Sequence, residues 1–150
     1  MNNRPDIAVF SSDDRLQLVV DVKELVDKTA DWAAHMRRNL LAHAAVPAAP
    51  FFMLVLPDHM WIWKDSGDVN ARQPDLQLDT AQVLRRYLPR RDNSESTVGG
   101  SALELSLVAW LEELSNADPS ALSAPWTARL AETGLLDCIR NGEIRVRAAV

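Results

Sequence analysis

Phe51-Phe52-Met53-Leu54-Val55-Leu56 is a run of six apolar residues without a polar break. A strand with one wet face alternates, whereas a strand that does not alternate is covered on both faces. The run lies between Pro50 and Pro57 and falls far short of the ~18 apolar residues a membrane span needs. It therefore reads as the central strand of a sheet with a layer on each side. Pro57-Asp58-His59 is a turn, and Met60 to Lys64 alternates as the partner strand. Trp61 and Trp63 share one of its faces; Met60, Ile62 and Lys64 share the other. Such an aromatic pair suits a stacking platform for bases. It suits a covered hydrophobic face or a subunit contact better.

The N-terminal strands carry the chemistry. Asp6 to Phe10 has the apolar character of a strand, and Ser11-Ser12-Asp13-Asp14 is a turn cluster. Arg15 to Lys23 then alternates, with Leu16, Leu18, Val20 and Val22 on one side and Arg15, Gln17, Val19, Asp21 and Lys23 on the other. Period-two geometry sets Asp21 and Lys23 on one face, about 7 Å apart along the strand. A hairpin through the turn brings Asp6 back toward Asp21. Mg²⁺ takes oxygen ligands and usually only one or two carboxylates, with water and substrate phosphate completing its shell. Asp6 and Asp21 are the candidate carboxylates, and the Val22 backbone carbonyl is a candidate third oxygen. Mn²⁺ would serve equally. Lys23 is placed to orient water and to meet charge developing on a phosphate. Gln17 would share that face. The same residues also admit a structural role, with Asp6 and Asp14 solvated beside a turn and Lys23 guarding a sheet edge.

Pro5-Asp6 followed by Asp21-Val22-Lys23 resembles the PD-(D/E)xK nuclease superfamily, the restriction-endonuclease-like fold. The order strand, turn, strand, helix and a further strand pair is that of its core after the first helix. Asp31-Trp32-Ala33-Ala34-His35-Met36-Arg37-Arg38-Asn39 and the hairpin from Phe51 to Lys64 extend the resemblance to a family of small uncharacterised bacterial proteins with that fold. Leu103 to Leu114 and Gly134-Leu135-Leu136 fit it too. The resemblance implies an α/β domain with a mixed β-sheet flanked by helices, a core over about residues 4–64 and a helical C-terminal extension over about 80–150. It implies Mg²⁺-dependent hydrolysis of DNA phosphodiesters, with Asp6 and Asp21 on the metal and Lys23 beside them. Homodimers are frequent in the superfamily.

Two departures stand out. The usual opening helix, with its additional acidic residue, is missing ahead of Pro5 or supplied from elsewhere. Asp21 stands where Glu is commoner. A nuclease-like scaffold that no longer cuts, serving as an interaction subunit, is the alternative. The acidic charge, the Trp61/Trp63 pair and the helix from Ser101 to Leu114 fit that alternative.

A chain of 150 residues with 47% hydrophobic and 25% charged content suits one globular domain. The N-terminus has no apolar leader core, and Cys138 is the single cysteine, which together imply a cytoplasmic protein without internal disulfides. A net charge of −5 and a pI near 5.1 run against the basic balance of a general nucleic-acid binder. DNA contact would fall to local basic groups: Arg37-Arg38, Arg85-Arg86, Arg90-Arg91 and the set Arg140, Arg145, Arg147. Each also fits a solvated face. Arg37 and Arg38 are expected at or off the edge of the helix's apolar stripe, exposed to solvent.

Along the chain, Thr29 caps a helix reaching about Ala44, with Trp32, Ala33, Met36, Leu40 and Leu41 as its apolar face. Asp65 to Asp79 reads as loop, Thr80 to Leu88 as a short helix, and Pro89 to Gly100 as a flexible stretch. Ser101 to Leu114 is amphipathic, with Leu103, Leu107, Trp110, Leu111 and Leu114 on one stripe. A last helix spans Trp126 to Glu132, closed by Gly134, and Glu143 to Val150 follows the Asn141-Gly142 turn as a strand. His35 and His43 lie two turns apart, too far to share a zinc ion, and His35, His43 and His59 are expected at the surface. Gly99-Gly100 lacks the Lys and Ser/Thr of a phosphate loop. Pro57-Asp58 repeats the first motif element, but no acidic-x-Lys strand follows it.

Overall fold

The computed structural model describes residues 5–43, 47–64, 72–88, 100–118 and 122–147. Six strands form one mixed sheet: β1 (Ile7–Phe10), β2 (Leu16–Val22), β3 (Phe51–Val55), β4 (His59–Lys64), β5 (Leu76–Asp79) and β6 (Glu143–Val146). Their order across the sheet is β5-β4-β3-β2-β1-β6. β2 and β3 are parallel, and every other pairing is antiparallel. The parallel pair is joined by helix α1 (Ala30–Ala42), because parallel neighbours need a crossover rather than a tight turn. Thr29 caps α1, its Oγ1 accepting the Trp32 N–H at 3.1 Å.

The apolar run does occupy the centre of the sheet, and all five residues of β3 are buried. Each face has its own core. On one, α1 lays Ala33, Trp32, Met36 and Leu40 over Val19, Phe52, Leu54, Trp61 and Trp63. On the other lie α2 (Thr80–Val83), α3 (Gly100–Asn116), α4 (Pro125–Thr133) and α5 (Leu135–Ile139). Leu103, Leu107, Trp110, Leu111 and Leu114 of α3 meet Val9, Val20, Met53 and Ile62 there. The result is a mixed six-stranded sheet flanked by helices.

Several expectations change. Trp61 and Trp63 are fully buried beneath α1, which is the expected covered hydrophobic face and not a base-stacking platform or a subunit contact. The apolar stripe of α3 is likewise taken up by the sheet. Leu76 to Asp79, expected within a loop, forms edge strand β5, with Leu76 and Leu78 turned inward. α5 is an additional helix that the sequence pattern does not predict; Gly134 both ends α4 and opens α5, and its φ of 89° suits a residue without Cβ. Gly142 enters β6 so closely that a Cβ there would lie 2.9 Å from the Phe10 and Ile139 carbonyl oxygens. β6 pairs with β1, so the C-terminal residues complete the sheet as well as its second layer. The expected stretch from 89 to 99, and residues 148–150 of the expected last strand, lie outside the described residues.

The register of β1 against β2 slips once. Val9 pairs with Leu18 but Phe10 pairs with Leu16, leaving Gln17 unmatched. Such a bulge reverses which face later residues take. Leu16 accordingly packs with the α1-side cluster and Leu18 with the opposite one. Gln17 leaves the face of Asp21, and its Oε1 accepts from Cys138 Sγ of α5 at 2.8 Å.

Candidate functional site

Asp6, Asp21 and Lys23 come together at the carboxyl end of β2. Ile7 pairs with Val20, so continuing the antiparallel register sets Asp6 opposite Asp21. The ladder does not continue as backbone alone: Asp6 Oδ2 accepts the Val22 N–H at 2.7 Å. This bond fixes one carboxylate oxygen against the end of β2. A strand residue turns its N–H and C=O toward the same neighbour. The Val22 carbonyl therefore shares the Asp6 side of the strand. The Asp6 carbonyl accepts the Arg147 N–H at 2.9 Å, so the C-terminal strand holds the motif from its other flank.

Asp21 is 7% exposed. Its Oδ2 is buried without a hydrogen bond and stands 3.3 Å from Lys23 Nζ. Burial pushes the Asp21 carboxyl up from the usual 3.8 to about 6; Lys23 opposes the rise and Asp6 adds to it. Lys23 is pinned through its backbone, its N–H donating to the Val55 carbonyl at 3.0 Å. Its side chain keeps 34% of its surface open. Lys23 thus bridges a buried carboxylate and solvent.

The two carboxylates and the lysine suit a divalent cation. Asp21 presents a buried oxygen that already faces the Lys23 ammonium, and Asp6 stands beside it with one oxygen already oriented. Among the described residues, no group of three or more His, Cys, Asp or Glu side chains is gathered to hold a metal. A Mg²⁺ site of one or two carboxylates does not need a third.

The basic groups are mostly engaged elsewhere. Arg37 is buried at 2% exposure, its guanidinium 5.8 Å from the Trp63 ring centroid, which corrects the expectation of an exposed residue. Arg86 pairs with Glu113, Arg145 with Asp14 and Glu143, and Arg147 with Glu104. Arg90 and Arg91 lie outside the described residues. His35 and His43 are exposed, as expected; His59 is half-buried, 3.9 Å from Asp58 Oδ2. The Cys138 thiol is held up by burial, which disfavours the thiolate a nucleophile requires. No helix among the described residues is long and apolar enough to cross a membrane.

Asp58 is the residue whose part the sequence concealed. Its Oδ2 accepts the Asp27 N–H at 2.9 Å, across 31 positions of chain. Nothing local in Pro57-Asp58-His59 signals a contact with the loop after β2. Comparisons with family models, curated proteins and solved structures yield no match.

Proposed function

We propose that this chain is a Mg²⁺-dependent nuclease that hydrolyses DNA phosphodiester bonds, with a site of the PD-(D/E)xK type. The observation that carries the reading is the meeting of Asp6, Asp21 and Lys23 across the β1–β2 hairpin, with Lys23 Nζ 3.3 Å from Asp21 Oδ2. The crossover through α1 to a parallel β3 gives further support, since it closes the strand end on which such a motif sits.

Asp6 and Asp21, with the Val22 carbonyl, would hold the cation. When bound, the cation supplies Lewis acidity, easing loss of a proton from water and offsetting phosphate charge. The Val22 N–H keeps Asp6 aimed before any ligand arrives. Asp21, once ionised, provides the charge that a cation offsets. Lys23, already at the solvent boundary, donates hydrogen bonds to the attacking water or to a phosphate oxygen as negative charge builds there. With a net charge of −5, contact with DNA would rely on local basic groups together with the cation. The burial of Trp61, Trp63 and the α3 stripe removes two supports of the non-catalytic alternative.

Incubation of purified protein with supercoiled and single-stranded DNA, with Mg²⁺ or Mn²⁺, tests the reading. Native protein is expected to cleave at least one substrate, with chelation abolishing the activity. Asp21→Ala and Lys23→Ala are expected to lose about a hundredfold or more in rate. Absence of cleavage with either cation, or undiminished cleavage by both variants, would contradict it.

A further inference from the structure

We propose that Asp58 is a positioning residue of this site: its carboxylate fastens the loop after Lys23 and so sets where Lys23 Nζ stands. The consequence for catalysis rests on the functional reading above; the fastening rests on geometry alone.

The segment from Glu24 to Lys28 joins β2 to α1. It leaves the sheet at Lys23, whose N–H donates to the Val55 carbonyl at 3.0 Å. Four residues later the Asp27 N–H donates to Asp58 Oδ2 at 2.9 Å. Both acceptors belong to the β3–β4 hairpin, so one rigid element staples the loop at two points. Packing does little for this loop, since Leu25 and Val26 are 42% and 38% exposed. A segment with few buried apolar contacts opens easily unless hydrogen bonds hold it.

The second staple also holds a left-handed conformation. Asp27 has φ of 60°, in the left-handed region that L-residues other than Asn and Asp seldom enter. Released from Asp58, this residue would lose the bond that holds it there, and the chain leaving Lys23 would lose its second attachment. Asp58 is itself anchored, its carbonyl accepting the Thr80 N–H at 3.3 Å where α2 begins. Its Oδ1 is buried without a hydrogen bond, and His59 Nε2 lies 3.9 Å from its Oδ2. One side chain therefore ties the β2–α1 loop to the β3–β4 turn, and its backbone ties that turn to the β5–α2 junction.

The test compares Asp58→Ala with Asp58→Asn, which keeps an oxygen able to accept the Asp27 N–H. Amide exchange at Asp27 and the Lys23 side-chain ammonium resonance are read by NMR in metal-free protein; Mn²⁺ affinity is read separately. Asp58→Ala is expected to speed exchange at Asp27 by about tenfold, the loss of one hydrogen bond. It should also shift the Lys23 resonance away from its native position and weaken Mn²⁺ binding. Asp58→Asn should restore all three. A native-like Lys23 resonance in Asp58→Ala, or failure of Asp58→Asn to restore it, would overturn the proposal. Asp58→Ser, too short to reach Asp27, replaces the alanine variant if that variant does not fold. Because the Lys23 signal needs no metal, it reports on positioning even where native protein binds no cation, an outcome that would sink the nuclease reading instead.

Discussion

Burial at Asp21 works against its charge. With its carboxyl raised from 3.8 to about 6, the fold favours the protonated form. That preference is fully present below pH 4 and is lost as pH rises through 6. At pH 8 the ionised group costs the fold up to about 3 kcal/mol, since each tenfold change in proton affinity is worth about 1.4 kcal/mol. Asp21→Asn removes this cost, so the variant should unfold at higher denaturant concentration than native protein at pH 8. The difference should vanish near pH 4. Urea melts at the two pH values check it; an equal difference at both would mean that Asp21 is not held against its charge. Cation binding should show the matching dependence, weakening as pH falls below about 6 and protons compete for Asp21. Mn²⁺ titrations at pH 5 and pH 7.5 read that directly. The placement of Asp6, Asp21 and Lys23 was legible because a hairpin and a period of two leave little freedom. Gln17 was not, because a bulge leaves no mark in residue type and inverts the alternation around it. Arg37 was hidden for another reason: helical periodicity sends charge to solvent, yet a flat guanidinium near an indole tolerates burial.

α3 is the element whose purpose differs most from its surface appearance. An amphipathic helix of this length reads equally as a core element or as half of an intermolecular pair. Its stripe meets the sheet, with Leu103, Leu107 and Leu111 fully buried. Leu107→Ala should therefore cost about 2–5 kcal/mol of stability and leave the association state unchanged. Chemical denaturation with sedimentation on the same samples separates the two. Trp63→Ala should behave similarly under α1, at about 3–5 kcal/mol. Thr29→Ala should cost about 1 kcal/mol through loss of the α1 cap. The longer helices and β1 to β4 could be read because capping residues, prolines and apolar spacing agree over many positions. β5 and α5 could not. Four residues of Leu76–Asp79 and five of Leu135–Ile139 are too few to establish a period. Each is set by packing and pairing with its neighbours.

Seen whole, the molecule is a mixed sheet with one parallel pair, and the candidate site lies at the carboxyl end of that pair. Ligands of open α/β sheets gather beyond the carboxyl ends of parallel strands. β2 and β3 end together at Val22 and Val55, beside Asp21, Lys23 and the Asp58 turn. α1 covers the α1-side face from Val19 across to the tryptophans and leaves Lys23 at the rim. The acidic surface sets a condition on any nucleic-acid partner, since Arg86, Arg145 and Arg147 are committed to carboxylates. The central claim is that Asp6 and Asp21 form a cation site. Calorimetric titration of Mn²⁺ into native protein and into Asp21→Ala at pH 7.5 tests it most directly. Saturable uptake by native protein, lost in the variant, is the predicted result. No uptake by native protein, or equal uptake by both, would contradict it.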